Sequence, residues 1–378
     1  MPKAIVATGG TTGTPEFAGS TWVRLQYMLG LQKLGIESYW VDRLGPVTAK
    51  QGRHSLDYLM RRFGRLACEF GFHDRYCVVY NGGEAYFGMT EAELVGLAES
   101  ADLLLSISGQ PPPSGPLLAL PRRAYIDVDP GFTQVWAHQI DLAFNLYNFF
   151  FTVGQNVGGP EFNIPTQGTD WTPVLPPVDL DWWPARIDEA CERFSTVADW
   201  RGSQDAIFED QYYGGKRSEF IRFLDVPLLG NQRIELALTI GQHDYEDIGL
   251  LGGHNWRLRD PYSYAGDPES YREFIQNSRA EFSVAKSGYV RSNSGWVSDR
   301  TACYLASGKP ALVQSTGFEW KLPTGKGLLT FRTPEEAAAG IHDINDHYLE
   351  HCAAAREIAE AYFDSNKVLT SILERVGL

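Results

Sequence analysis

The chain has 378 residues, a length that predicts two domains. Its 43% hydrophobic content, with 20 Phe, 18 Tyr and 10 Trp, excludes disorder over most of the chain. The 47 acidic residues against 33 Lys and Arg give a net charge of −14, which predicts no nucleic-acid partner but leaves room for one local basic pocket. No apolar run is long enough for a membrane span, and the N-terminal MPKAIVATGG is too short and polar for a signal peptide. Five scattered cysteines without a CxxC pair predict reduced thiols in a cytoplasmic protein. His347 and His351 are spaced to share a helix face, but without an HExxH pattern no metal site is expected.

Residues 4–8 form an apolar run that stops at Gly9-Gly10, followed by Gly13 and Gly19. A helical period then carries Trp22, Leu25, Met28, Leu29, Leu31 and Leu34, and IESYWVD reads as the next strand. Strand, glycine loop, helix and strand open a doubly wound α/β domain. The alternation continues with a helix over 55–70, a strand over 76–80, a helix capped by Thr90, a strand over 102–109 and a strand over 123–131. Residues 158–187 hold six prolines and little periodicity and read as a connector. A second alternating series follows: strands over 193–200, 233–240, 255–261, 280–286, 310–314 and 327–331, with helices over 214–224, 268–278, 298–307 and from Thr333 onward. The expected architecture is α/β, with two Rossmann-like halves and a helical tail: an N-terminal domain over 1–175, a linker over 176–190, a C-terminal domain over 191–350 and a tail over 351–378.

The segment AEFSVAKSGYVRSNSGWVSDRTACYLASGKPALVQSTGF (280–318) resembles the donor-binding half of bacterial GT-B glycosyltransferases that carry an SGW-SDR…YLA-G-P pattern. GKGLLTFRTPEEAAAGI (325–341) resembles the stretch that follows in the same proteins. The resemblance implies two Rossmann-like domains facing across a cleft. It also implies transfer of a sugar from a nucleotide sugar to a small-molecule acceptor, with no cofactor beyond that co-substrate. Retaining enzymes of the glycogen-synthase type usually carry two glutamates here. Cys303 and the stretch Ser292-Asn293-Ser294 stand in their places, which tilts the expectation toward inversion without a metal.

The residues suit a diphosphate on their own chemistry. The helix beginning at Ser298-Asp299 offers free N–H groups, and Lys286, Arg291, Arg300 and Lys216 offer positive charge near strand ends. Thr316-Gly317 offers a second anion turn. The alternatives are that Ser298 is only a helix cap and that Arg300 pairs with Asp299 or Glu319. An inverting transferase needs a base. Asp127 and Asp129 end a strand and, by the period of two, point the same way; the alternative is an Asx turn before Pro130-Gly131. His54 is the other candidate base, and Gly9, Gly10 and Gly13 line the acceptor side. The aromatic stretch 136–154 is either an acceptor pocket or core. A nicotinamide enzyme is disfavoured, since GxGxxG is missing. A sugar-nucleotide epimerase or hydrolase and a non-catalytic nucleotide-sugar-binding subunit remain the alternatives.

Overall fold

The apolar runs fold as parallel strands because helices cover both of their faces. The computed structural model describes residues 1–47, 54–109, 111–202 and 205–378. In the N-terminal half, β1 (Lys3–Gly9), β2 (Glu37–Leu44), β3 (Tyr76–Tyr80), β4 (Ala85–Gly88), β5 (Leu103–Ile107), β6 (Arg123–Asp127), β7 (Phe149–Thr152) and β8 (Thr172–Pro173) form one sheet. Its order is β4-β3-β2-β1-β5-β6-β7-β8, and only β3–β4 is antiparallel. Ala4 and Val6 face the layer containing Trp22 and Leu25, whereas Ile5 and Ala7 face Leu94 and Leu97. The period of two in β1 thus feeds two separate layers of core.

The helices of this half have readable starts. α1 (Ala18–Lys33) follows the glycine loop. α2 (Leu56–Glu69) begins where the Ser55 hydroxyl accepts from Tyr58 N, and buries Leu59, Phe63 and Ala67 at a spacing of four. α3 (Glu91–Ser100) starts in a capping box between Thr90 and Glu93. α4 (Phe132–Gln139) begins directly after Gly131, whose φ of +93° turns the chain out of β6.

The C-terminal half contains β9 (Phe194–Asp199), β10 (Ala206–Phe208), β11 (Gln211–Tyr213), β12 (Ile234–Thr239), β13 (Arg257–Arg259), β14 (Ala280–Ser283), β15 (Ala311–Gln314) and β16 (Leu328–Phe331). Six of these form a parallel sheet in the order β13-β12-β9-β14-β15-β16, and β10–β11 is a separate hairpin. The expected helix over 214–224 is broken into Arg217–Phe220 and a tighter turn over Ile221–Phe223. β4, the β10–β11 hairpin, α4 and the helix Tyr245–Gly253 add to the elements read from the sequence.

The last helix, Ser365–Val376, returns to the N-terminal half and packs on α1. A Cβ on Gly30 would lie 2.4 Å from Leu369 Cδ1 and 2.8 Å from Ser365 Cβ, so a side chain there would force the two helices apart. Backbone bonds from Val178 N to Phe363 O (2.7 Å) and from Ser365 N to Val178 O (2.9 Å) fix the approach of this helix. No helix among the described residues is long and apolar enough to cross a membrane.

Candidate functional site

The two halves meet at a cleft of about 320 Å³. The loop after β1 and the turn after β6 form one wall; the ends of β9 and β12 and the segment that follows β14 form the other. This is where parallel sheets place their ligands.

The C-terminal wall brings Lys216, Lys286 and Arg300 together beside Asp199 and Asp299. Gly214 N donates to Ser287 Oγ (2.9 Å) and Ser287 N to Gly215 O (3.3 Å), which holds Lys216 beside the start of the helix Ser287–Arg291. A Cβ on Gly215 would sit 1.5 Å from Arg201 O, so only glycine permits this approach. Lys216 is 7% exposed and donates to Val284 O. Burial, and then the charges of Arg300 and Lys286, push its ammonium well below the usual lysine range. Arg300 is buried and pairs with Glu281 (2.7 Å), while also donating to Val197 O and Ser283 Oγ. Burial alone would lower its pKa, but Glu281 raises it. Its partner is therefore neither Asp299 nor Glu319, and Glu319 pairs with Arg332 (2.9 Å). Ser298 caps the helix Asp299–Ala306 by accepting from Arg300 N, and both Ser298 and Asp299 line the cleft. Burial raises the Asp299 pKa.

On the N-terminal wall the two expected carboxylates diverge. β6 ends at Asp127, so the strand period does not extend to Asp129. Asp127 is fully buried and accepts from Thr133 Oγ1 (2.6 Å), Thr152 Oγ1 (2.8 Å), Gln134 Nε2 (3.2 Å) and Asp129 N (3.0 Å). Burial pushes it up to about 6 against those hydrogen bonds. The bond from Asp129 N closes the Asx turn. Asp129 lines the cleft, accepting from Lys286 Nζ (2.9 Å) and from the Tyr289 hydroxyl. Burial would raise it, but Lys286 and then Tyr289 hold it below the usual carboxylate range. The Lys286 ammonium also lies 5.3 Å from the centres of the Phe132 and Tyr289 rings.

His54 pairs with Glu16 and stacks on Tyr58 at 4.4 Å; of these residues Glu16 lines the cleft. Gly9 ends β1, and Gly10 has φ +88°. Gly13 carries the loop past Leu44, and Thr11 and Thr12 beside it line a separate cavity of about 370 Å³ that also touches α2. Arg291 ends its short helix on the exposed side, and its carbonyl accepts from Asn163 Nδ2. Thr316 donates to Trp296 O (2.6 Å), and Gly317, at φ +95°, lets Asn293 and Asn156 approach. These two support the loop carrying Trp296, a cleft residue stacked on Tyr289 at 4.3 Å. The aromatic stretch divides: Phe144, Tyr147 and Phe150 pack with Tyr125 and Trp171 as core. Sequence reasoning missed Tyr289, Trp296 and Tyr271, although the first two stand inside the SGY and SGW pieces of the quoted segment.

Asp343, His347 and His351 bring ligand-type atoms within 4.8 Å of one another. His351 Nδ1 accepts from Gly327 N (3.1 Å), so the neutral ring carries its proton on Nε2, 3.3 Å from Asp343. That tautomer leaves no lone pair for an ion at Nε2.

The glycosyl transferase-like family model matches residues 233–372. Solved structures match over the whole chain. An alpha-glucosyltransferase in complex with UDP-glucose and DNA containing an abasic site has 11% identity, TM-score 0.62, and coverage of 100% of this chain and 99% of that one. The same kind of enzyme in complex with UDP has 10% identity, TM-score 0.63 and coverage of 100% of both chains. HepE from Anabaena in complex with UDP and glucose has 13% identity, TM-score 0.57 and coverage of 100% of both chains. No curated protein matches the chain by sequence. The GT-B fold is therefore shown, and the resemblance to glycosyltransferases is borne out by the family model and by the fold.

One expectation is corrected. The exclusion of a nucleic-acid partner fails, because a protein of this fold is solved with DNA. Net charge averages over the whole surface, whereas an acceptor meets only the cleft and its rim.

Proposed function

We propose that the protein is a nucleotide-sugar-dependent glycosyltransferase that inverts configuration without a metal. The observation that carries this reading is the convergence of Lys216, Lys286 and Arg300 with the start of the helix Asp299–Ala306 at one wall of the cleft. A dianionic ligand there would restore the charge that burial withdraws from Lys216 and would compete with Asp129 for Lys286. A donor diphosphate fits that chemistry, and the fold's solved relatives hold UDP and UDP-glucose.

Asp129 is the base in this reading. Free of ligand, it is neutralised by Lys286. When Lys286 turns to the diphosphate, the carboxylate is released toward the acceptor. The acceptor oxygen then attacks the anomeric carbon as the bond to the diphosphate oxygen breaks. The acceptor proton passes to Asp129, and the leaving charge is taken by the C-terminal wall. We assign residues 1–175 to the acceptor side, 191–350 to the donor side and 351–378 to the tail, with 176–190 as the linker. The five free thiols support a cytoplasmic setting.

A small molecule suits the size of the cleft, and the relative solved with DNA makes a nucleic acid the second acceptor to test. Thermal-shift measurements with UDP, other nucleoside diphosphates and UDP-sugars should raise the melting temperature, and sugar should then pass to an acceptor in a screen of hydroxyl compounds and duplex DNA. No shift with any nucleotide would overturn the proposal. Hydrolysis or epimerisation without transfer would select the alternative chemistry.

A further inference from the structure

α1 starts with Phe17 at its N-cap, no side chain caps its first turn, and that turn carries no acidic residue. Ala18, Gly19 and Ser20 line the N-terminal wall of the cleft. A helix of 16 residues therefore turns free N–H groups and the positive end of its dipole toward the cleft.

A second observation is independent of the helix end. Arg24, one turn further along, is 8% exposed. Its Nη1 donates to Ser20 O (3.0 Å) and Ser20 Oγ (2.7 Å), which aims the guanidinium back at that first turn. Its Nε is buried with no partner. Among the described residues no carboxylate lies at ion-pair distance from it, whereas Arg300 on the opposite wall has Glu281 at 2.7 Å. Asp42, Asp129 and Asp299 act on Arg24 only through space. Asp42 is already engaged by Thr8 Oγ1 and Thr12 N, and Asp129 by Lys286. An under-bonded buried guanidinium is costly unless something else supplies the acceptor.

We infer that the first turn of α1 and Arg24 form a seat for a phosphate-class oxyanion on the N-terminal wall of the cleft, and that the acceptor carries that group. The assignment to the acceptor rests on the glycosyltransferase reading, because the donor diphosphate is then held by the opposite wall. The seat itself does not depend on it.

The test is calorimetric titration of inorganic phosphate into the protein saturated with UDP, with wild type, Arg24→Met and Arg24→Lys compared. Phosphate affinity should fall about tenfold or more in Arg24→Met and recover in part in Arg24→Lys, with UDP affinity unchanged within about twofold. A parallel loss of UDP affinity, or phosphate excluded by UDP, would place the donor in the seat and overturn the acceptor assignment. No phosphate binding to wild type, or equal binding to Arg24→Met, would overturn the seat. Should Arg24→Met fail to fold, Ser20→Ala removes the hydroxyl that aims Arg24 and should weaken phosphate severalfold; unchanged binding there would count against the seat. Without phosphate, Arg24→Met should melt no lower than wild type. A much lower melting temperature with phosphate binding intact would make Arg24 a structural residue. Failure of the enzyme reading looks different: no nucleotide binds at all.

Discussion

The two walls of the cleft hold their charges by different means. On the C-terminal wall, Arg300 is fixed by Glu281, Val197 O and Ser283 within its own sheet, and Lys216 by Val284 O. On the N-terminal wall, Asp129 sits past the end of β6 and its side-chain partners, Lys286 and Tyr289, come from the opposite wall. One wall is therefore organised before any ligand arrives. The other is organised by a contact that an anionic ligand would compete for. An anionic ligand on the C-terminal wall should change the N-terminal wall more than a ligand on the N-terminal wall changes its opposite.

The largest effect should come from the wall that depends on the other. Asp129→Asn should lower kcat by about 10²–10⁴-fold, with donor affinity nearly unchanged, in steady-state and binding assays run together. Wild-type turnover would remove Asp129 as base. Glu281→Gln tests the self-contained wall. It leaves Arg300 buried without its carboxylate and should cost about 3 kcal/mol or more in denaturant unfolding. A loss near zero would show that Arg300 is not preorganised by Glu281. Lys286→Met should weaken nucleoside diphosphate binding about tenfold and lower stability near neutral pH by about 1 kcal/mol or less, the contribution of its part-buried pair with Asp129.

The smallest effect is on the acid limb of stability. Asp129 lies below its ordinary value in the folded protein, so the stabilisation from its pair with Lys286 is complete above the unfolded value of about 4 and is lost as pH falls toward the folded one. In Lys286→Met that loss should be missing from unfolding curves taken from pH 6 down to pH 3. An unaltered acid limb would mean that the cross-cleft contact does not persist in solution.

Much of the fold was legible because β1, β5, β12 and β15 are short apolar runs bounded by turn residues, and Thr90, Ser55 and Thr333 announce helix starts. β4 was not, because a four-residue antiparallel edge strand with no fully buried side chain carries no pattern of its own. At the site, Lys286 and Ser298-Asp299 were readable from their positions after a strand and at a helix start. The split between Asp127 and Asp129 was not. It depends on Thr133, Thr152 and Gln134, which hold the buried Asp127 carboxylate from three different distances along the chain. Arg24 was also invisible. In the helical period it is an ordinary polar position, and nothing in the sequence around it announces that it is buried.

The return of Ser365–Val376 to α1 has a consequence for how the molecule is made. α1 supplies the first turn of the N-terminal wall, yet one side of it is completed by residues translated more than 330 positions after Gly30. The first sheet can form on the ribosome, but its covering layer stays open until the last helix has left the exit tunnel. Removing Ser365–Val376 would uncover that side of α1, and the loss would be felt at the N-terminal wall first.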